Sequence, residues 1–335
     1  MRNNRSMHRW VAWLILSCFG ACGWAFQPVD PAAGRSLPPV EVPPAQPGVA
    51  YERCYVFGDM GTGSADQRAV AKAMAQRARE EPIHFILTTG DNFYPAGVLS
   101  VDDPQWKTKF ENIYNDPELD VPIYASLGNH DHLGNPQAQI EYSKHSKRWI
   151  MPDEYYTFTR ALTDGTRVQF IALDTDTIHE KRPEASAQLA WLEKVLAASE
   201  ADWKIAFGHH PVFSHGMHGN TSELVAKLEP VFVKGRLDLY ICGHDHTLEM
   251  LKPVRGVSYV VSGGGGGADK AYEVKWTDDA FYAATLGGFV QLRMSKSEIV
   301  IEFIRLDSRT QYAHVLTHAT SATSKREPVP AGADE

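Results

Sequence analysis

The 335-residue sequence predicts an α/β protein in which strands and helices alternate along most of the chain. Short apolar runs typical of strands are separated by longer stretches with helical spacing, the pattern expected of strand–loop–helix units. Polar motifs that begin with glycine directly follow five of these strands. In α/β folds functional groups collect at the carboxyl ends of strands, so the motifs predict a site there.

Local sequence features predict the individual elements. The first helix is rich in alanine, and the Ser64 hydroxyl can cap its first turn. The C-terminal third is β-rich, and one of its strands runs into five glycines, Gly263 to Gly267. The predicted elements are, in order, a strand at 51–57, a helix at 64–80, a strand at 83–88, a helix at 104–115, a strand at 121–127, a helix at 136–149, a strand at 167–173, a helix at 184–199, a strand at 203–207, a helix at 221–229, and strands at 237–242, 256–262, 285–294 and 298–305.

The two ends of the chain differ from this central part. The first 25 residues combine a basic start with an apolar run shorter than the roughly 20 residues that span a bilayer, which predicts a signal peptide and a secreted or periplasmic protein. The alternatives are an uncleaved anchor and cleavage before a lipid-modified Cys18 or Cys22. The predicted division is a signal peptide at 1–25, a Pro-rich linker at 26–50, the folded domain at 51–318 and a disordered tail at 319–335.

The net charge excludes one class of function, and the cysteine positions predict the state of the thiols. The net charge of −8 and a pI near 6.0 argue against nonspecific nucleic-acid binding. Signal cleavage leaves Cys54 and Cys242, both in apolar strand-like segments where buried free thiols are expected. A disulfide is the alternative in an oxidising compartment.

Five motifs supply a set of metal-binding side chains. They are Gly58-Asp59-Met60-Gly61, Gly90-Asp91-Asn92-Phe93-Tyr94, Gly128-Asn129-His130-Asp131, Gly208-His209-His210 and Gly243-His244-Asp245-His246. Each motif alone is weak, but together they offer carboxylate, phenol, amide and imidazole donors sufficient for two metal ions. The candidate ligands are Asp59, Asp91, Tyr94, Asn129, His209, His244 and His246.

The spacing and chemistry of these residues favour a dinuclear centre. His244 and His246 are two residues apart, so in an extended chain they face one way, with attachment points about 6–7 Å apart. Asp91 can bridge two cations through its two oxygens. A free tyrosine has a pKa near 10, so a Tyr94 phenolate needs strong compensation, which Fe(III) can provide. The alternative for Tyr94 is a core tyrosine with an unrelated partner.

In these motifs and their order the sequence resembles the purple acid phosphatases of the metallophosphoesterase superfamily, especially the short, mammalian-type tartrate-resistant acid phosphatases. The similarity covers about residues 51–310. Many other metallophosphoesterases have a histidine at the position of Gly61, and here Tyr94 takes over its coordination role. The resemblance implies an α/β/β/α sandwich, two mixed β-sheets packed face to face and flanked by helices, as the catalytic domain.

The resemblance also implies a role for each ligand. Asp91 is shared by the two metals, and His130 and His218 match histidines near the substrate phosphate and the leaving group, with His215 a competing candidate. Asp131 and Asp245 either orient imidazoles or lie in solvated loops. The implied Fe(III) ligands are Asp59, Asp91, Tyr94 and His246, and those of the divalent metal, Fe(II), Zn(II) or Mn(II), are Asp91, Asn129, His209 and His244.

The implied function is that of an exported acid phosphatase, with no membrane span once the signal is cleaved. A metal-bound hydroxide attacks a phosphomonoester, either a small molecule or a phosphoprotein, and histidines that titrate near 6.5 favour an acidic optimum. A phosphodiesterase or nucleotide pyrophosphatase is the alternative on the same scaffold. The complete ligand set argues against a noncatalytic binding protein. Family members carry a loop that limits access until proteases cut it, but segment 174–183 is short, which argues against such activation.

Overall fold

The computed structural model describes residues 40–267, 274, 277–285 and 287–318. The predicted signal peptide with Cys18 and Cys22, the first part of the predicted linker and the predicted tail lie outside these residues. No helix within the described ranges is both long and apolar enough to cross a membrane. The described cysteines, Cys54 and Cys242, are both buried and free.

The described chain mixes strands and helices up to residue 235, and its later elements are all strands. The strands are β1 (Glu52–Phe57), β2 (Phe85–Thr88), β3 (Ile123–Ala125), β4 (Trp149–Ile150), β5 (Tyr156–Ala161), β6 (Arg167–Ala172), β7 (Trp203–Phe207), β8 (Leu239–Cys242), β9 (Leu248–Leu251), β10 (Ser258–Ser262), β11 (Ala280–Ala284), β12 (Gly288–Met294), β13 (Glu298–Arg305) and β14 (Thr310–Thr317). The α-helices are α1 (Ala65–Glu80), α2 (Asn129–His132), α3 (Pro136–Tyr142), α4 (Thr175–His179), α5 (Ala185–Ala198) and α6 (Ser222–Gly235).

The strands form two mixed sheets of seven strands each. Their orders are β14-β13-β12-β1-β2-β3-β4 and β11-β9-β10-β8-β7-β6-β5. Parallel pairs occupy the middle of both sheets, with β1, β2 and β3 in the first and β6, β7, β8 and β10 in the second. Phe85 of β2 meets Phe170 of β6 edge to face between the sheets, with ring centroids 5.2 Å apart.

Helices cover the outer faces of both sheets. On the first sheet, the Tyr55 hydroxyl of β1 donates to the Met74 carbonyl of α1 at 3.3 Å. On the second, Ile171 of β6 shares an apolar cluster with Leu192 of α5 and Phe232 of α6. Burying such a side chain stabilises the fold by about 1.5–3 kcal/mol. The predicted α/β/β/α sandwich is therefore confirmed.

Several element boundaries differ from the prediction. Helix α1 begins as expected, because the Ser64 hydroxyl accepts the Gln67 N–H at 3.2 Å. Helix α6 continues through Pro230 to Gly235 rather than ending at 229. Proline removes one backbone donor, but Phe232 stays buried against the sheet and keeps the helix intact. The helical stretch predicted around 104–115 forms, but it is shorter than expected and is a π-helix over Trp106–Glu111.

Candidate metal centre

Loops from both sheets converge at one end of the sandwich. Asp59 and Asp91 follow β1 and β2, and Asn129 begins α2 shortly after β3. His209 and His244 follow β7 and β8 in the second sheet. Because these strands are parallel within their sheets, their carboxyl ends lie at the same edge.

One cluster of donor atoms surrounds the Tyr94 hydroxyl. This oxygen lies 2.8 Å from Asp91 Oδ2 and 3.2 Å from Asp59 Oδ1. It lies 3.1 Å from His246 Nε2, and that nitrogen is 3.4 Å from Asp59 Oδ1. The structure thus brings together the four side chains that the resemblance assigns to Fe(III).

A second cluster surrounds His209 Nε2. This nitrogen lies 2.9 Å from Asn129 Oδ1 and 3.1 Å from His244 Nδ1. Asp91 Oδ2, which also belongs to the first cluster, lies 3.5 Å away. His209 Nδ1 donates to the Thr89 carbonyl at 2.9 Å, which fixes the tautomer and leaves the Nε2 lone pair free to bind a cation.

The donor spacing and charge of both clusters fit cations. Ligand atoms about 2.0–2.2 Å from a metal and at right angles to each other lie roughly 3 Å apart. The distances within each cluster, from 2.8 to 3.5 Å, have this size. Asp59 and Asp91 are 0% and 2% exposed, and among the described residues neither is paired with lysine or arginine. Burying two such carboxylates is costly without added positive charge.

The raised pKa of Tyr94 indicates that its phenolate form requires added positive charge in the first cluster. Burial raises the pKa of the Tyr94 hydroxyl well above its usual value, and the charges of Asp59 and Asp91 raise it further. Without a cation the hydroxyl therefore stays protonated and donates to Asp91. A strongly charged metal ion can reverse this preference, as metals do for coordinating thiols.

Three of the candidate ligands have a left-handed backbone. The φ angles are 59° at Asp59, 50° at Asp91 and 68° at His244. Each such non-glycine residue costs about 1–3 kcal/mol. Backbone hydrogen bonds hold the carboxylates in place, because the His244 N–H donates to Asp59 Oδ2 at 3.0 Å and the His130 N–H donates to Asp91 Oδ1 at 2.9 Å.

Gly61 has no room for a side chain. A Cβ atom there would lie 1.9 Å from the Asn92 carbonyl oxygen. The Gly61 carbonyl accepts the Tyr94 N–H at 2.8 Å, so the two loops are in direct backbone contact. The histidine that other metallophosphoesterases carry at this position is therefore incompatible with the approach that brings Tyr94 into the first cluster.

Asp131 ties the loop of Asp91 to helix α2. It is fully buried and accepts the backbone N–H of Gly128 at 2.9 Å and that of Asn92 at 3.0 Å. The Gln139 side chain also donates to it, at 2.8 Å. Burial raises the pKa of Asp131 to about 6. Of the two alternatives for Asp131, the solvated loop is wrong, and its partners are backbone and amide groups rather than an imidazole.

Thr175 is a supporting residue that sequence reasoning missed. Its Oγ1 accepts the backbone N–H groups of His209 at 3.2 Å and His210 at 2.8 Å. Having accepted two bonds, the hydroxyl donates to His210 Nδ1 at 3.1 Å. Burial and the neighbouring His209 lower the pKa of His210 well below its usual value, so this ring stays neutral. Thr175 begins α4, and no spacing in the sequence links it to the Gly208 motif.

Two partly exposed histidines lie beside the clusters, one next to each. His130 Nδ1 lies 2.6 Å from the Pro95 carbonyl oxygen and therefore carries a proton. Its ring centroid is 4.5 Å from that of Tyr94 in the first cluster. The ring centroid of His218 is 4.2 Å from that of His244 in the second cluster.

The competing candidate, His215, points away from the clusters. Its Nε2 lies 2.8 Å from Thr277 Oγ1, and its backbone N–H donates to Glu249 at 3.0 Å. The His215 side chain is only 15% exposed, whereas that of His218 is 43% exposed. Geometry therefore favours His218 as the residue that can meet a substrate.

Comparisons with known proteins agree with this site. The profile of the calcineurin-like phosphoesterase family matches residues 53–248. The chain is 36% identical over 272 residues to tartrate-resistant acid phosphatase type 5 of Oryctolagus cuniculus, covering 74% of this chain and 84% of that protein.

Two solved structures share the fold. GAP50, the anchor in the inner membrane complex of Plasmodium, matches with a TM-score of 0.74 and 24% identity over 84% of this chain and 98% of its own. Purple acid phosphatase PPD1 from yellow lupin (Lupinus luteus) seeds matches with a TM-score of 0.63 and 18% identity over 87% of this chain and 58% of its own.

The fold and the family profile define a calcineurin-like phosphoesterase, that is, a member of the metallophosphoesterase superfamily. Within that superfamily the chain is also 34% identical over 266 residues to purple acid phosphatase 4 of Arabidopsis thaliana, covering 74% of this chain and 78% of that protein. The chain belongs to the purple acid phosphatases, as the resemblance of its motifs predicted.

Proposed function

We propose that this protein is an exported acid phosphatase that hydrolyses phosphomonoesters at a dinuclear Fe(III)–M(II) centre. The main support is the position of Asp91, whose Oδ2 lies between the Tyr94 hydroxyl at 2.8 Å and His209 Nε2 at 3.5 Å. One carboxylate thus faces two complete donor clusters. The membership of the chain among the purple acid phosphatases supports the choice of reaction.

The two clusters would hold different metals. When bound, the cations neutralise and orient the phosphate and acidify the attacking water. The phenol of Tyr94 favours iron in the first cluster, because a trivalent ion offsets the raised pKa of this hydroxyl. The Fe(III) ligands are Asp59, Asp91, Tyr94 and His246, and Fe(II), Zn(II) or Mn(II) is held by Asp91, Asn129, His209 and His244.

The two outer histidines act on the substrate itself. His130 is held through Nδ1 by the neutral Pro95 carbonyl, and when charged its Nε2–H donates to a phosphoryl oxygen. His218 is held by the carboxylate of Asp245 and delivers the proton on its Nε2 to the leaving oxygen. Each ring is partly exposed, which the approach of a substrate requires.

The substrates are phosphomonoesters, either small molecules or phosphoproteins, and no nucleic acid is involved. The basic and apolar composition of residues 1–25 supports export to the periplasm or the medium. In the lipoprotein alternative, Cys18 or Cys22 would carry the anchor.

Metal analysis combined with two substrates tests the proposal. We expect about two metal ions per chain, at least one of them iron, with a visible absorption band. The protein should hydrolyse 4-nitrophenyl phosphate much faster than bis(4-nitrophenyl) phosphate. A preference for the diester would support the phosphodiesterase alternative, and a colourless enzyme with two zinc ions would refute the iron assignment.

A further inference from the structure

The carboxylate of Asp245 accepts two hydrogen bonds from His218. Its Oδ1 accepts the backbone N–H of His218 at 2.9 Å and the ring Nδ1–H of the same residue at 2.9 Å. A half-turn of the ring would replace Nδ1 by carbon and break the second bond. The ring is therefore fixed with Nε2 on its exposed side.

Asp245 is itself held rigidly. Its side chain is 1% exposed, and its Oδ2 accepts the Ser214 hydroxyl at 2.5 Å. The backbone of Gly216 closes over it so tightly that a Cβ atom there would lie 2.3 Å from Asp245 Cγ. The Thr247 N–H donates to the Asp245 carbonyl at 2.7 Å. These contacts hold the carboxylate in one position. Because Asp245 is buried, the solvated-loop alternative for it is wrong.

The position of Asp245 in the chain links the acid to the metal clusters. It lies between His244, which belongs to the second cluster, and His246, which belongs to the first. The chain bends here rather than running extended, since His244 has a left-handed backbone, and the Asp245 side chain turns toward the loop of His218. The segment that carries the two candidate ligands His244 and His246 therefore also orients the His218 ring, through Asp245.

We propose that Asp245 is a positioning residue that holds the His218 ring with Nε2 directed at the leaving-group oxygen. The proposal rests on the proposed role of His218 as the proton donor. In that step the P–O bond to the leaving group breaks with its electron pair on oxygen, and the Nε2 proton moves to that oxygen. Water forms the new bond to phosphorus and releases a proton to solvent. The Nδ1 partner of His130 is a neutral carbonyl oxygen, whereas a hydrogen bond to a carboxylate is about twice as strong.

Leaving-group dependence tests this role in the metal-loaded full chain. 4-Nitrophenolate departs without a proton, whereas the alkoxide of glycerol phosphate needs one. Since general acid catalysis contributes roughly 100-fold or more, we expect Asp245→Asn to lower kcat for the alkyl ester at least about 10-fold more than for the aryl ester.

Glu249→Gln is the matched control. Glu249 is an equally buried carboxylate under the same loop, where it accepts the backbone N–H of His215 at 3.0 Å. Among the described residues its carboxylate also accepts the Thr247 hydroxyl at 2.7 Å and, weakly, the Ser214 hydroxyl at 3.4 Å, and it makes no hydrogen bond to His218. Loosening of the loop alone would lower kcat for both esters by the same factor, so we expect no change in the alkyl-to-aryl ratio for this variant.

A second readout does not depend on activity. In the metal-free full chain labelled with ¹⁵N-histidine, the His218 Nδ1–H should give an NMR signal protected from exchange. Asp245→Asn should lose this protection, while reconstituted samples of the variant should bind as much metal as the wild type.

The possible failures are distinguishable. An equal loss for both esters in Asp245→Asn, or retained protection of Nδ1–H, overturns the positioning role. If His218→Ala also leaves the alkyl-to-aryl ratio unchanged, His218 is not the acid, and the inference falls with it. Absence of monoester hydrolysis by the wild-type protein would refute the proposed function itself.

Discussion

The Tyr94 hydroxyl donates a 2.8 Å hydrogen bond to Asp91 Oδ2, the same oxygen that faces the second donor cluster. These two residues are three apart in one loop, so their proximity is encoded locally. Two of their partners come from the other sheet, since His246 lies 3.1 Å from Tyr94 and His209 lies 3.5 Å from Asp91. The centre therefore forms only when the two sheets pack, which couples metal binding to the folding of the sandwich.

Replacing Tyr94 by phenylalanine should remove the visible absorption while keeping the fold. The ring would remain, but the oxygen that contacts Asp59, Asp91 and His246 would be lost. Mutating a residue that only hydrogen-bonds to a metal ligand typically lowers metal affinity about 10–100-fold. Loss of a direct ligand should therefore weaken iron binding by at least about 100-fold. Iron analysis and the visible spectrum measure the effect.

Tyr142→Phe is the control for this change, because its hydroxyl donates to Glu111 at 3.1 Å and contacts none of the candidate ligands. This variant should keep both colour and iron. A coloured Tyr94→Phe protein would show that the phenol is not a ligand.

Removal of the metals should make the stability of the protein respond more favourably to acidification than that of the metal-loaded form. Burial raises the pKa of Asp131 to about 6. Burial lowers the pKa of His209 and of His246, but the nearby carboxylates outweigh this and raise both pKa values. All three groups therefore bind protons more tightly in the folded state, and their stabilisation is lost as pH rises through the folded pKa values. Burial lowers the pKa of His210 and of His244, so acid costs stability at these two rings, but it does so whether or not metal is bound.

Urea unfolding of the chelated and the metal-loaded protein at about pH 5.5 and about pH 7.5 measures this effect. The difference in the free energy of unfolding between the loaded and the chelated protein should shrink on acidification, because bound cations keep the ligand side chains of the loaded protein from binding protons. Equal pH dependence of the two forms would contradict the prediction.

Gly61→Ala should destabilise the protein and displace Tyr94. The added Cβ would meet the Asn92 carbonyl at 1.9 Å, and a backbone obstacle cannot move aside as a flexible side chain can. Overpacking typically costs about 1–3 kcal/mol. Thermal melting and iron content report the two effects.

Gly287→Ala is a matched control, since the nearest atom to its added Cβ, from Leu306, lies 3.5 Å away. Its melting temperature and colour should stay close to those of the wild type. A Gly61→Ala protein with unchanged melting and unchanged colour would show that the loop contact does not set the position of Tyr94.

The ligands of the centre were predictable because their motifs are short and each follows a recognisable strand. The supporting residues were not, because their partners lie far away in the chain. Thr175 holds His209 and His210 from a different loop, and Ser214 reaches Asp245 across 31 positions. No spacing rule relates such residues before the strands pair.

The fold was predictable where strands are apolar and bounded by turns. Strand β9, Leu248–Leu251, was missed because it follows the His246 motif without a clear alternation of its own. Strand β14, Thr310–Thr317, was missed because nearly all its residues are half-buried and its composition is mixed. In both cases pairing with a neighbouring strand, rather than the local sequence, determines the conformation.

Segment 174–183 should not act as a removable lid, so proteolysis should not increase activity. The segment is folded into α4, and Arg182 bonds both Asp176, at 2.5 Å, and His132 Nδ1, at 3.2 Å. His132 Nε2 in turn lies 3.0 Å from Asp174. The segment is thereby fastened to helix α2, which carries Asn129.

Limited trypsin digestion, followed by gel electrophoresis and a monoester assay, tests this expectation. The Lys181 side chain is 64% exposed and offers a cleavage site within the segment. Cutting there should leave activity unchanged or lower it, because Thr175 of the same segment supports His209. Lys181→Gln removes the exposed site without touching the Arg182 bonds and should slow the loss. A rise in activity on cleavage of the wild type, absent in this variant, would show that the segment restricts access after all.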